Sequence, residues 1–129
     1  MSDQEVIAQV YEAFAERDLE RLLGLSADDC VITQDERLPW GGRHVGHQGV
    51  TDFAAILITS TDSVLTTEAM FEADGQVIQV GRITGTVPST GRVFDIPEVH
   101  TWTVVDGKVA TAHFANDTAA LLVALGGES

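Results

Sequence analysis

Apolar residues recur at helical spacing near the start of the chain. Val6, Ile7, Val10, Tyr11 and Phe14 form one stripe, and Ser2 with Glu5 has the spacing of a capping box. The pattern predicts an opening helix. Asp18 suits the N-cap of a second, short helix through Leu19, Leu22, Leu23 and Leu25, weakened near its end by Gly24. Residues 30–34 form a short β-branched run and predict a strand. Residues 36–46 hold Pro39, Gly41, Gly42 and Gly46 and predict a loop. Val50, Phe53, Ala54 and Leu57 mark a third helix.

The second half changes period. Asp74-Gly75 and Asp106-Gly107 are hairpin signals, and residues 88–91 form a longer turn. They separate four expected strands at residues 64–73, 76–87, 92–105 and 108–116. A last short helix follows, capped by Asp117 or Asn116, with Leu121, Leu122 and Leu125 as its apolar face. Residues 126–129 look like a frayed end. Helices on one face of a meander of antiparallel strands is an α+β arrangement.

Successive side chains of a strand point to opposite faces, so parity sorts the third long strand. Phe94, Ile96, Glu98, His100, Trp102 and Val104 share one face. On the next strand Ala110, Ala112, Phe114 and Asn116 share a face, with His113 on the other. A two-residue turn at Asp106-Gly107 would set His100 opposite His113. A three-residue loop with Gly107 left-handed would set His100 opposite Ala112. The second is favoured, because it groups Ala110, Ala112 and Phe114 with Ile96 and Trp102. The inner face then carries Glu98 and His100 among apolar neighbours. Either they sit hydrogen-bonded at the open end of a half-covered sheet, or they line a ligand cavity, where burial shifts pKa values.

Length and charge narrow the function. The chain has 129 residues, with 44% apolar, 20 acidic against 7 basic, and a net charge of −13. That is one domain, residues 1–129. The acidic balance argues against nucleic acid and anionic membranes as partners. A single cysteine, Cys30, rules out an internal disulfide framework and points to a small buried hydrophobe. No apolar run reaches ~18 residues and no signal peptide is visible, so a cytoplasmic protein is expected.

Five segments in order carry a family resemblance: the opening helix followed by Glu16-Arg-Asp-Leu-Glu-Arg-Leu; Ala27-Asp-Asp before a strand; Pro39-Trp-Gly-Gly-Arg-His-Val-Gly; Glu98-Val-His-Thr-Trp-Thr-Val-Val-Asp-Gly-Lys-Val; and Asp117-Thr-Ala-Ala-Leu-Leu. Over nearly its whole length the chain resembles the SnoaL-like branch of the nuclear transport factor 2-like superfamily, which includes ketosteroid isomerases and polyketide cyclases. The resemblance implies a cone-shaped α+β roll, with a curved antiparallel sheet wrapped around the N-terminal helices and an apolar cavity inside. It also implies a homodimer packed through the sheet's outer face, and no metal or organic cofactor. The chemistry it implies is isomerisation or cyclisation by proton abstraction next to a carbonyl on a small apolar molecule, such as a polyketide, terpenoid or steroid-like compound. A non-catalytic ligand-binding or scaffold dimer is the alternative, and an epoxide hydrolase with an Asp–Arg–Asp set is a weaker one, since Arg82 is the only arginine inside a strand.

Site residues follow from the same likeness. In ketosteroid isomerases a carboxylate after the first strand takes a proton, and hydrogen-bond donors hold the enolate oxygen. Gln34 stands at that position without a gap, and Asp35 with a one-residue shift. Tyr11 and Phe14 lie near the isomerase tyrosine. In cyclases resembling SnoaL a histidine on the third long strand works with an aspartate on the last. His100 takes the first place, and Phe114 stands at the second. The expected catalytic set is Asp35 as base, Glu98 assisting or replacing it, and His100 as oxyanion donor. Tyr11, Phe14, Gln34, Trp40, Trp102 and Phe114 are the expected ligand contacts. His44 and His47 are three residues apart, with no further ligand in view, so no metal site is expected.

Overall fold

A computed structural model describes residues 1–127 of the chain, so the end of the expected frayed tail, residues 128–129, lies outside the described residues. The elements run α1 (Asp3–Ala15), α2 (Leu19–Gly24), β1 (Ser26–Gln34), β2 (Gly42–Val45), α3 (Gly46–Ser60), β3 (Asp62–Ala73), β4 (Gln76–Thr86), β5 (Val93–Val105), β6 (Lys108–Asn116) and α4 (Thr118–Ala124). The capping reasoning holds at three helix starts. Ser2 Oγ accepts from the Glu5 backbone N–H, Asp18 from Arg21 and Asp117 from Ala120. Among the described residues no helix is long and apolar enough to cross a membrane.

Six strands form one sheet in the order β2-β1-β6-β5-β4-β3. All neighbours are antiparallel except β1 and β6, which run parallel. The meander expected for the second half is therefore present, with β1 and β2 added beyond β6. Two expectations about the first half are corrected. β1 starts at Ser26 rather than Cys30, because its early part carries exposed Asp28 and Asp29 and a register shift that hides the alternation. The expected loop at residues 36–46 contains β2, whose four residues are too few to show a period.

The hairpin between β5 and β6 also differs from expectation. Asp106 and Gly107 have φ of 52° and 77°, the left-handed pair of a tight two-residue turn, and Val105 faces Lys108 across it. A bulge then intervenes, with Val104 opposite Val109 but Thr103 opposite Thr111. The extra residue restores the parity that the tight turn alone would have inverted. His100 ends opposite Phe114, and Trp102 opposite Ala112. The inner face thus groups Ala112 and Phe114 with Ile96 and Trp102 as expected, through a different register. Val109, not Ala110, is the buried residue beside the bulge.

A second bulge, at Glu68 in β3, adds to the curl of the sheet. α1 and α3 lie in the hollow. Val6, Ile7, Val10 and Ala13 of α1, and Val50, Phe53 and Ala54 of α3, are buried against the inner face. Burial of such side chains contributes roughly 1.5–3 kcal/mol each for the larger ones. α4 caps one end, where Thr90 Oγ1 donates to the Ala124 carbonyl at 2.7 Å.

Candidate functional site

The hollow is not filled. A cavity of about 370 Å³ remains between α1, α3 and the inner face of β4, β5 and β6. Its wall is mostly apolar and aromatic, with Phe14, Trp40, Phe53, Phe94, Trp102 and Phe114 among its residues. Few polar groups interrupt it. Tyr11, His100, Gln34 and Asn116 contribute from the wall, and Arg17, Asp62 and Ser63 also line it. The size falls in the range of small-molecule sites, and a few converging polar groups on an apolar wall is their usual composition.

The polar centre is a chain of three side chains from α1 and β5. Tyr11 Oη lies 2.7 Å from His100 Nδ1. Trp102 Nε1–H donates to the same tyrosine oxygen at 3.0 Å. The rings are tightly nested. Tyr11 and His100 stack at 5.8 Å, Trp102 meets Tyr11 edge-on at 5.6 Å, and Phe114 sits 4.5 Å from the imidazole. A helix residue and two alternate strand residues converge here because α1 crosses the inner face over β5.

Behind the imidazole lies Glu98. Its Oε2 is 3.2 Å from His100 Nε2, close but poorly aligned, and neither carboxyl oxygen has a hydrogen-bond partner among the described residues. Only 2% of the residue is exposed. It fits because β4 presents Gly81 opposite it; a Cβ there would collide with the Thr66 carbonyl and come within 2.7 Å of Glu98 Oε1. A charge so placed is expensive. Burial pushes the Glu98 carboxyl up to about 7, against a smaller opposing effect of Gln79. Burial likewise pulls His100 down to about 3, so the imidazole is neutral at physiological pH. Tyr11 is raised too, chiefly by burial, so its hydroxyl keeps its proton.

These protonation states restrict the hydrogen bonds. Trp102 can only donate, so the tyrosine oxygen accepts from it. A neutral imidazole has one N–H. With Glu98 protonated, the carboxyl proton faces Nε2, Nδ1–H donates to Tyr11, and the tyrosine O–H is released toward the cavity. With Glu98 ionised, Nε2–H faces the carboxylate and Tyr11 O–H turns back to Nδ1.

The other expected residues separate into two groups. Tyr11, Phe14, Gln34, Trp40, Trp102 and Phe114 all line the cavity, as does His100. Both nitrogens of His100 are directed at protein groups, so the hydroxyl of Tyr11 is the donor available to a ligand. Asp35 is not among the lining residues. Its carboxylate is clamped by Arg37, at 3.0 Å to Nε and 2.7 Å to Nη2, and that guanidinium holds it down at about 2. Glu98 touches the site only through His100. His44 Nε2 contacts the carbonyls of Trp40 and Gly41 at 3.0 Å, and His47 Nε2 that of Ser26 at 2.9 Å. Arg82 pairs with Asp95 at 2.7 Å on the outer face, away from the cavity.

Sequence reasoning overlooked Gln79, which is fully buried opposite His100 and donates to Thr67 Oγ1 at 2.9 Å. The parity of Val77, Gln79, Gly81 and Ile83 would have placed it on the inner face. It also overlooked Arg17 and Asn116.

The model of the SnoaL-like domain family matches residues 7–112. Among curated proteins, none matches the sequence. Several solved structures share the whole fold. An NTF2-like protein of unknown function from Burkholderia pseudomallei is 26% identical, with a TM-score of 0.89 over 97% of this chain and 98% of its own. TerC, co-crystallised with polyporic acid, is 27% identical, with a TM-score of 0.86 over 95% and 97%. IdmH, a putative polyketide cyclase from Streptomyces antibioticus, is 27% identical, with a TM-score of 0.78 over 98% and 99%.

Proposed function

The chain belongs to the SnoaL-like domain family, and we propose that it is a cofactor-independent cyclase or isomerase acting on a small, largely apolar molecule with a carbonyl group. The observation that carries this is the Tyr11 hydroxyl, held by Trp102 and His100 at the wall of an aromatic cavity of about 370 Å³. A carbonyl oxygen placed against that hydroxyl accepts its hydrogen bond, and the bond strengthens as negative charge develops on the oxygen. One preorganised donor of this kind contributes about 2.7–4 kcal/mol in well-studied sites.

The relay behind Tyr11 supplies the proton. As the carbonyl oxygen takes the tyrosine proton, Nδ1–H of His100 replaces it, and Nε2 takes the proton of Glu98. The proton lost by the attacking enol re-enters at the Tyr11 oxygen as Tyr11 passes its own proton to Nδ1 and Nε2–H returns to the Glu98 carboxylate, which restores the starting acid. A base for direct attack on a C–H bond is less evident. Asp62 is the lining carboxylate among the described residues, and it is exposed. Ring closure, in which the substrate carries its own enol nucleophile, therefore fits the site better than a proton shuttle between two carbons. The likeness to IdmH and to TerC supports a small-molecule substrate of this kind. The proposed assembly is a homodimer through the outer sheet face.

A second reading, a binding protein without turnover, is favoured by Phe114, which leaves β6 without an acid facing the cavity. A panel of aryl ketones, enones and β-diketones separates the two. Saturable quenching of Trp40 and Trp102 emission together with a new product by mass spectrometry supports the enzyme. Quenching without product supports the binding protein, and no quenching by any member removes both.

A further inference from the structure

The turn after α1 is built on an unfavourable residue. Arg17 has a φ of 57°, in the left-handed region. Its N–H reaches the Phe14 carbonyl at 3.0 Å, and the Asp18 N–H reaches Ala13 at 2.9 Å. That pair of bonds is the helix-ending motif whose left-handed position is usually glycine. An arginine there strains the backbone where glycine would not, so its side chain is the feature to explain.

Arg17 is exposed and stands among the residues lining the cavity. The guanidinium stands 5.3 Å from the Phe14 ring centroid, and Nη1 donates to the Phe14 carbonyl at 2.8 Å. The remaining N–H groups have no carboxylate within 4.0 Å among the described residues, although the chain holds 20 acidic residues to 7 basic ones. Arg21, Arg37 and Arg82 each pair with a carboxylate, while Arg43 and Arg92, like Arg17, do not among the described residues; of these three only Arg17 lines the cavity. Among the described residues Arg17 is the one arginine or lysine of the lining, held by an aromatic face and a carbonyl.

We infer that Arg17 reads an anionic group, a carboxylate or an acidic enol, at one end of the cavity ligand, while Tyr11 takes a carbonyl oxygen further in. This rests on the cavity being a ligand site, as proposed above, and adds the charge of that ligand. Tyr11 lies four residues before the end of α1, roughly 6 Å along its axis, and Arg17 follows just beyond that end, so one molecule with several bonds between carbonyl and anion spans both. Asp62 also lines the cavity and repels an anion. The guanidinium fork offers two parallel donors to a carboxylate, whereas the repulsion acts across an exposed, salt-screened region.

The test uses 5-benzoylpentanoate and its methyl ester, with binding followed by tryptophan quenching at low and high salt. The expected result is that the acid binds about tenfold more tightly than the ester, with the preference shrinking in salt. Arg17→Gly should bring the acid and the ester to equal affinity, and raise Tm, because glycine relaxes the turn. Arg17→Lys should keep part of the preference. Equal binding of acid and ester by the unaltered protein, or a preference that survives in Arg17→Gly, overturns the assignment and leaves the cavity reading standing. Failure of both ligands to bind removes the cavity reading, and this inference with it.

Discussion

Tyr11 Oη and His100 Nδ1 are 2.7 Å apart across 89 residues of chain, and Trp102 completes the tyrosine's environment from the same strand as the histidine. Replacing Tyr11 by Phe keeps the ring and removes only the oxygen. It leaves Trp102 Nε1–H and His100 Nδ1 without partners, a cost of about 1–3 kcal/mol for each buried group. Turnover should fall about 10²–10³-fold, while ligand affinity changes little. Thermal melting and product formation measured on the same preparation check both parts. Unchanged turnover in a folded Tyr11→Phe protein would show that the hydroxyl does not act on the substrate.

Glu98 and His100 set a pH dependence with opposite signs. Burial raises Glu98 from 4.5 to about 7, so the folded protein holds a proton that the unfolded chain has lost between those values. Its stabilising contribution is complete below pH 4.5 and is lost as pH rises through 7. Burial lowers His100 from 6.5 to about 3, so there the unfolded chain binds the extra proton, and stability rises with pH over that window. Together they predict greatest stability between about pH 4.5 and 6.5. Turnover should decline as pH passes 7, because ionised Glu98 turns the Tyr11 proton back toward His100. Glu98→Gln cannot ionise, so its melting temperature and its turnover should both lose the change near pH 7. A wild-type limb that persists in Glu98→Gln would assign it to another group.

The inner face of β5 was legible from parity alone, because buried side chains alternate there with more exposed ones from Val93 to Trp102. The register against β6 was not. It depends on a bulge at Ala110, and bulges carry no residue signature comparable to Asp-Gly. The choice between Gln34 and Asp35 was equally closed to sequence, since a strand's last residue decides which of two neighbours turns inward. Arg17 went unread for a different reason. Its sequence context, Glu16-Arg17-Asp18, resembles any solvated helix end, and only the left-handed backbone singles it out.

Asp35 gives a functional control. Its carboxylate stabilises the loop through Arg37 and lies outside the cavity lining. Asp35→Asn should leave turnover within about twofold and lower stability only slightly, since the ion pair is largely solvent-exposed. Its carboxyl is held at about 2, so the substitution should matter least in acid, where the native group begins to protonate anyway. Loss of turnover in this variant would restore Asp35 to the reaction and require the loop at residues 36–41 to close over the ligand.

The outer sheet face carries a different expectation. Phe71, Val93 and Val99 lie on the outer face of β3 and β5 by register and parity, and all are exposed, Val93 by 77%. Single exposed apolar residues need no explanation, but several grouped on one sheet face mark an interaction surface. If two copies pair through it, each brings a net charge of −13. Apolar burial must then offset like-charge repulsion, which salt screens over about 8 Å at physiological ionic strength. Sedimentation at micromolar concentration should therefore show a dimer in ~150 mM salt that weakens as salt is withdrawn. Val99→Lys puts a cation near the centre of that face. It should yield a monomer that still melts cooperatively and still binds ligand, because the cavity is lined from the opposite face. A monomeric wild-type protein at high salt would remove the pairing, and ligand binding lost along with the dimer would mean that the partner copy shapes the cavity.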